Sequence, residues 1–70
     1  QRAKQAIDIL MLHISQRRVE LLIGLSQAYL SRLWIGAGNP SAELVSHLAM
    51  LAHDPKIRLA ELERYWALGP

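Results

Sequence analysis

The sequence predicts an all-α domain of five helices. Three observations lead to this prediction: apolar residues recur at helical spacing, residues that cap or break helices divide the chain into five stretches, and the apolar residues are mostly aliphatic. Apolar residues make up 51% of the 70 residues, too many for a disordered chain, whereas aromatic residues make up 6% and Phe is absent. We therefore expect one small domain with an aliphatic core.

The first predicted helix spans residues 2–13. No Gly or Pro interrupts it, and Ala3, Ile7 and Leu10 lie on one apolar stripe at helical spacing. Residues 9–12 are apolar on all sides of the helix. This predicts contacts on two sides, one with the core and the other with the last helix or a partner subunit.

Two short helices joined by a glycine are predicted in the centre of the chain. Ser15 is a suitable N-cap for a helix at Gln16–Ile23, and Gly24 can adopt the left-handed conformation that ends it. Ser26 is the expected N-cap of the next helix, residues 27–35.

The remaining two helices have equally clear start signals. Ser41 caps a predicted helix that runs to about residue 52. Asp54 and Pro55 offer a capping carboxylate and a first-turn proline, and the fifth helix is expected to end near residue 68, before Gly69.

Two helices joined by a short turn containing Gly form a helix-turn-helix unit, whose second helix can enter the DNA major groove. Residues 14–49, ISQRRVELLIGLSQAYLSRLWIGAGNPSAELVSHLA, resemble the helix-turn-helix of the lambda repressor/Cro-like (XRE) family. They share its Ser-Gln, its Gly-aliphatic-Ser, a further Ser two residues before an aliphatic residue, and its Asn-Pro-Ser, without a gap. The resemblance implies a five-helix lambda-repressor-like domain that binds double-stranded DNA as a transcriptional regulator, with a repressor the favoured form.

The resemblance also implies roles for individual residues. Gln27, Ala28 and Arg32 are expected to read base edges, since Gln suits adenine, Arg suits guanine and an Ala methyl can pack on the thymine methyl. Gln16 is expected to anchor a phosphate at the start of its helix. Further phosphate contacts are expected from Arg17, Tyr29, Ser31 and Asn39. A homodimer is expected, because one such domain offers few contacts and two can occupy half-sites one helical turn apart.

Four residues depart from the family pattern: Glu20, Trp34, Ile35, and Ala37, which lacks the basic side chain often found after the Gly. Glu20 replaces a small residue between the two motif helices, so its carboxylate should either reach solvent or find a partner such as Arg17. Trp34 and Ile35 replace charged or polar residues, and we expect Trp34 to pack on Ile9 in place of a family ion pair.

These departures support an alternative function. The chain could be an interaction or antitoxin-like domain that keeps the fold with weak or no DNA binding, because fold does not fix function. Residues 41–55, SAELVSHLAMLAHDP, also resemble the fourth helix of antitoxins of this family that bind a toxin.

Composition excludes several other classes. Without Cys there is no disulfide or thiolate metal site, and His13, His47 and His53 lack ligand spacing. No nucleophile–base pair or glycine-rich phosphate loop is present, so we expect no enzyme activity, metal or cofactor. The formal net charge is only +2. We expect a cytoplasmic, nucleoid-associated domain without a membrane span, and the lack of an initial Met suggests a segment of a longer chain.

Overall fold

The computed structural model describes residues 2–67, with side chains from residue 3 onward. Within this range the chain is all-α, and the predicted number of helices is confirmed. The five helices are α1 (Arg2–Met11), α2 (Gln16–Ile23), α3 (Tyr29–Trp34), α4 (Ala42–His53) and α5 (Pro55–Ala67). Between residues 2 and 67, none of them combines the length and the apolar character needed to cross a membrane.

The core is formed by one buried face of each helix. α1 packs on α4 and α3, while α5 packs on α4 and α2. The buried apolar residues are Ala3, Ala6, Ile7, Leu10, Val19, Leu22, Leu30, Leu33, Leu48, Leu51, Ala52 and Leu59. All are aliphatic, as composition predicted, and each fully buried leucine contributes about 1.5–3 kcal/mol to stability.

Local caps define α2 and α4. The Ser15 hydroxyl accepts a hydrogen bond from the Arg18 amide at 3.3 Å, and Gly24 ends α2 with a left-handed φ of 76°. Ser41 accepts from the Leu44 amide at 3.1 Å in the same way. The predicted N-caps of these two helices and the glycine that ends α2 are confirmed, because each signal lies next to the helix end it controls.

The end of α1 differs slightly from the prediction. α1 ends at Met11, and the chain then turns as the Leu10 carbonyl accepts from the amides of His13 at 2.9 Å and Ile14 at 3.0 Å. The predicted end of the last helix, from residue 68 onward, lies outside the described residues.

α3 starts later than predicted. Ser26 does not cap it, and the helix begins at Tyr29 rather than at residue 27, because Ala28 adopts a left-handed φ of 65° that a right-handed helix cannot contain. Such a backbone costs about 1–2 kcal/mol for a residue with a Cβ atom. Other contacts must therefore hold Ala28 in this conformation.

Candidate nucleic-acid interface

The outward side of α3 and the turn before it form a continuous polar surface. Leu30 and Leu33 are buried beneath α3, so Ser31 and Arg32 project from its other side. Gln27 and Ala28, the other two predicted base readers, are also exposed, but they lie in the turn rather than on the helix.

Arg32 is held across the start of α3. Its Nη2 atom donates to the Ser26 hydroxyl at 3.3 Å, and its guanidinium lies 5.9 Å from the centre of the Tyr29 ring. A guanidinium has five N–H donors, so most of them remain able to bind an external acceptor. The half-buried Tyr29 thus supports Arg32 from the side, a role that sequence reasoning did not assign to it.

Gln16 joins the start of α2 to α3. Its Nε2 atom donates to the Ser31 hydroxyl at 2.7 Å and to the Glu20 carboxylate at 3.1 Å. Both amide hydrogens are used in these contacts, so the side chain would have to break one to donate to a phosphate. Ser31 accepts from Gln16, which leaves its own hydroxyl hydrogen able to donate outward.

Among the residues that the structure describes, Glu20 is the buried charged residue, with 1% of its surface exposed. Its Oε1 atom accepts from the Ala28 amide at 3.2 Å, and its Oε2 atom accepts from the Leu30 amide at 3.1 Å. The half-exposed Arg17 guanidinium lies 3.5 Å away, so the predicted partner is confirmed. The other alternative, an escape of the side chain to solvent, does not occur, because four donors, the fourth being Gln16, hold the carboxylate inside.

Hydrogen bonding keeps Glu20 ionised. Burial by itself raises the pKa of this carboxyl, but its hydrogen bonds, above all that from the Leu30 amide, outweigh burial and lower the pKa below its ordinary value. The negative charge therefore points at the start of α3 and away from the outer surface. Sequence reasoning missed this role, although two motif helices in close contact and an acid between them were visible signals.

Two contacts hold α2 against α5. The Arg18 Nε atom lies 3.3 Å from the Glu63 carboxylate, and the Trp66 indole N–H donates to the Leu22 carbonyl at 2.9 Å. Arg18 is thereby turned towards α5, whereas Arg17 and Arg32 remain on the α2–α3 side. The cations available to a ligand on the polar surface are therefore fewer than the sequence suggests.

Trp34 contacts a different side of α1 from the one predicted. Its indole N–H donates to Asp8 Oδ1 at 2.7 Å, and the Lys4 ammonium lies 4.2 Å from the ring centre. The expected contact with Ile9 is wrong: Lys4 and Asp8 share one helix face at i,i+4 spacing, whereas Ile9 faces α4. Ile35, the next residue, is exposed.

Asn39 lies in the loop between α3 and α4. It is exposed, and Gly36 and Gly38 bend the loop with left-handed φ values of 88° and 87°. The loop thus presents its polar groups to solvent. In the described part of the chain, no group of three or more His, Cys, Asp or Glu side chains is arranged to hold a metal.

The geometry thus gathers Gln27, Ala28 and Arg32, the three exposed residues predicted to read bases, with Ser31 and Arg17 around one short helix. Gln16 and Glu20 lie behind this helix. The resemblance to the XRE family rests on the residue pattern. No protein-family model, curated protein or solved structure matches this chain.

Proposed function

We propose that α2, the turn and α3 form a helix-turn-helix of XRE type, which binds double-stranded DNA sequence-specifically in a transcriptional regulator, most simply a repressor acting at the nucleoid. One observation carries this proposal. α3 presents an exposed polar side with a pre-positioned arginine, while Gln16 and Glu20 of α2 hold it from behind. A helix offered to a groove needs this combination of an exposed polar side and a rigid support.

Base reading falls to three exposed residues. Arg32 can bind guanine O6 and N7 through two of its donors, and the Ser26 and Tyr29 contacts reduce the freedom that it loses on binding. Gln27 can pair with adenine, and the Ala28 methyl can pack on thymine. Each good bidentate contact discriminates against the wrong base by about 1–3 kcal/mol.

Phosphate contacts surround these readers. The Ser31 hydroxyl can donate outward while it accepts from Gln16, and the half-exposed Arg17 lies at the start of α2, where helix amides also favour an anion. Tyr29 and Asn39 offer further polar groups. Gln16 serves as the link that orients Ser31 and adds its backbone amide at the helix start.

Binding as a homodimer is part of the proposal, since two half-sites multiply affinity and specificity. The exposed side of α4 and α5 carries apolar Met50, Ile57 and Tyr65, and the paired charges Arg58 and Glu61 lie beside them. A second copy would bury this apolar surface and bring opposite charges to both sides of a twofold axis. Sedimentation equilibrium with and without DNA measures this association.

The test of DNA binding is a salt series with mixed-sequence duplex DNA. Binding should weaken steeply with salt, and Arg17→Ala should reduce the slope of log affinity against log salt by about 0.9. Arg32→Ala should lower affinity for a selected preferred site by roughly 10- to 100-fold. Arg64→Ala, which removes the same charge from the far helix α5, is the matched control and should have little effect. Absence of binding even at low salt would overturn the proposal.

A second candidate function rests on the surface around Trp34. A groove of about 300 Å³ lies between α1 and α3, and Met11, Trp34 and Ile35 contribute apolar surface to it. Ile35 is 72% exposed, an unusual position for an isoleucine on a phosphate-facing loop. If duplex DNA does not bind, binding of a protein partner such as a toxin is the function to test next. Ile35→Glu is the variant that should disrupt this binding.

A further inference from the structure

We infer that Glu20 is a positioning residue that sets where α3 begins, and thereby which side chains α3 presents; the consequence for base reading rests on the proposed function. Two acceptors compete at this point of the chain. One is the Ser26 hydroxyl, the local cap that the sequence predicts. The other is the Glu20 carboxylate, which reaches the same backbone from α2.

The competition concerns one amide in particular. A serine N-cap accepts from the amide two or three residues further along, which for Ser26 means Ala28 or Tyr29. In the structure the Ala28 amide donates to Glu20 at 3.2 Å, and the Tyr29 amide donates to the Ser26 carbonyl at 3.1 Å. Both amides that Ser26 could cap are therefore occupied, and its hydroxyl accepts from Arg32 instead.

The Glu20 carboxylate is a stronger hydrogen-bond acceptor than the Ser26 hydroxyl. Hydrogen bonds to an ionised carboxylate are roughly twice as strong as those between neutral groups, and Glu20 makes two with backbone amides, at Ala28 and Leu30. Together they compensate for the left-handed backbone of Ala28, which alanine otherwise avoids. Glu20 thus moves the start of α3 from residue 27 to Tyr29 and leaves Gln27 in the turn.

Without the Glu20 carboxylate, the Ser26 hydroxyl should become the N-cap of α3. In Glu20→Ala the amides of Ala28 and Leu30 lose their acceptor. The Ser26 hydroxyl can then accept from the Ala28 amide, so α3 should lengthen to include Gln27 and Ala28. The Gln27 side chain would then leave the turn for the helix surface, whereas Arg32, already inside α3, would keep its place. The variant should therefore change base preference opposite Gln27 and Ala28 but not opposite Arg32.

The experiment is NMR of the free protein, which requires no DNA. Wild type should show a positive φ at Ala28 in amide–Hα couplings and non-helical chemical shifts at Gln27, and Glu20→Ala should show helical values at both residues. Arg17→Ala, which removes a partner of Glu20 but leaves both amide bonds, is the control and should resemble wild type. A helical Ala28 in the wild type would overturn the inference.

Serine variants keep the test decisive if Glu20→Ala does not fold. Ser26→Ala in the wild-type background should leave the start of α3 unchanged, because the hydroxyl does not cap the helix. A shifted helix start in Ser26→Ala would overturn the inference. In folded Glu20→Ala, addition of Ser26→Ala should reverse the lengthening.

Selection from a random duplex library tests the consequence for DNA. Wild type and Glu20→Ala should select sites that differ at the bases opposite Gln27 and Ala28 and agree opposite Arg32. Identical selected sites would overturn the consequence for base reading. If neither protein binds DNA while the NMR result is as expected, the proposed function fails and the role of Glu20 in setting the start of α3 stands.

Discussion

The Leu44 amide in the first turn of α4 donates to the side chain of the residue that precedes the helix, whereas the Leu30 amide in the first turn of α3 donates to a side chain from another helix. Ser41 caps α4 through a neutral hydroxyl at 3.1 Å from the Leu44 amide. Glu20 caps α3 from eight and ten residues away, with a buried charge. The first start depends only on local sequence, while the second also depends on how α2 and α3 pack.

The largest expected loss of stability comes from removing the charge of Glu20, which caps α3 from α2. Glu20→Gln keeps the shape of the side chain, but its NH₂ group would face a backbone amide, and a charge-assisted pair would be lost. We expect the free energy of unfolding to fall by about 2–3 kcal/mol. Urea denaturation measures this loss, and a change below 0.5 kcal/mol, about half a neutral hydrogen bond, would show that the buried carboxylate does not hold α3.

Low pH should weaken the capping at the start of α3 but not at the start of α4. The pKa of Glu20 is lowered in the folded state, so its stabilising contribution is complete above the ordinary value of 4.5 and is lost as pH falls through the lower folded value. The difference in stability between wild type and Glu20→Gln should therefore shrink as pH falls below 4.5. Denaturation at a series of pH values, with Ser41→Ala as the control, measures it; a constant difference would contradict the assignment.

Ser41→Ala and Ser26→Ala should lower the free energy of unfolding by different amounts, both smaller than the loss in Glu20→Gln. Ser41→Ala should lower the free energy of unfolding by about 1 kcal/mol, because it removes a cap. Ser26→Ala should cost less than about 0.5 kcal/mol, because the exposed Ser26 hydroxyl contacts only the exposed Arg32 side chain. Equal losses in the two variants would mean that Ser26 caps α3 after all.

At the opposite end of α3 we expect a smaller loss of stability than for Ser41→Ala. Trp34→Phe keeps an aromatic ring beneath Lys4 but removes the donor to Asp8, and we expect a loss of about 0.5–1 kcal/mol. Asp8→Asn, which retains an acceptor oxygen, should cost less. If Trp34→Phe has no effect while Ile9→Ala destabilises strongly, the predicted Ile9 contact would be restored.

The same comparison explains how much of the fold the sequence predicts. Ser15, Gly24 and Ser41 lie beside the helix ends they control, so those ends could be predicted from local sequence. The start of α3 could not, because Glu20 reaches it through packing. The partner of Trp34 was missed for a related reason, since a pairing carried over from a family need not survive the loss of its charges.

In the candidate site, too, local sequence predicts some features, whereas others depend on packing. Exposure of Ser31 and Arg32 follows from helix periodicity once Leu30 and Leu33 are assigned to the core. The hydrogen bonds of Gln16 and the contacts of Arg32 depend on the distances between side chains, which periodicity does not supply.

Under the proposed function, the outward side of α3 binds duplex DNA. Titration of the ¹⁵N-labelled protein with a mixed-sequence duplex at low salt tests it most directly, because every backbone amide reports separately. We expect shift changes to concentrate in α3, in the turn containing Gln27 and at the start of α2, and we expect little change in the first half of α5. No shift changes, or changes confined to the surface around Trp34 and Ile35, would contradict the proposed function.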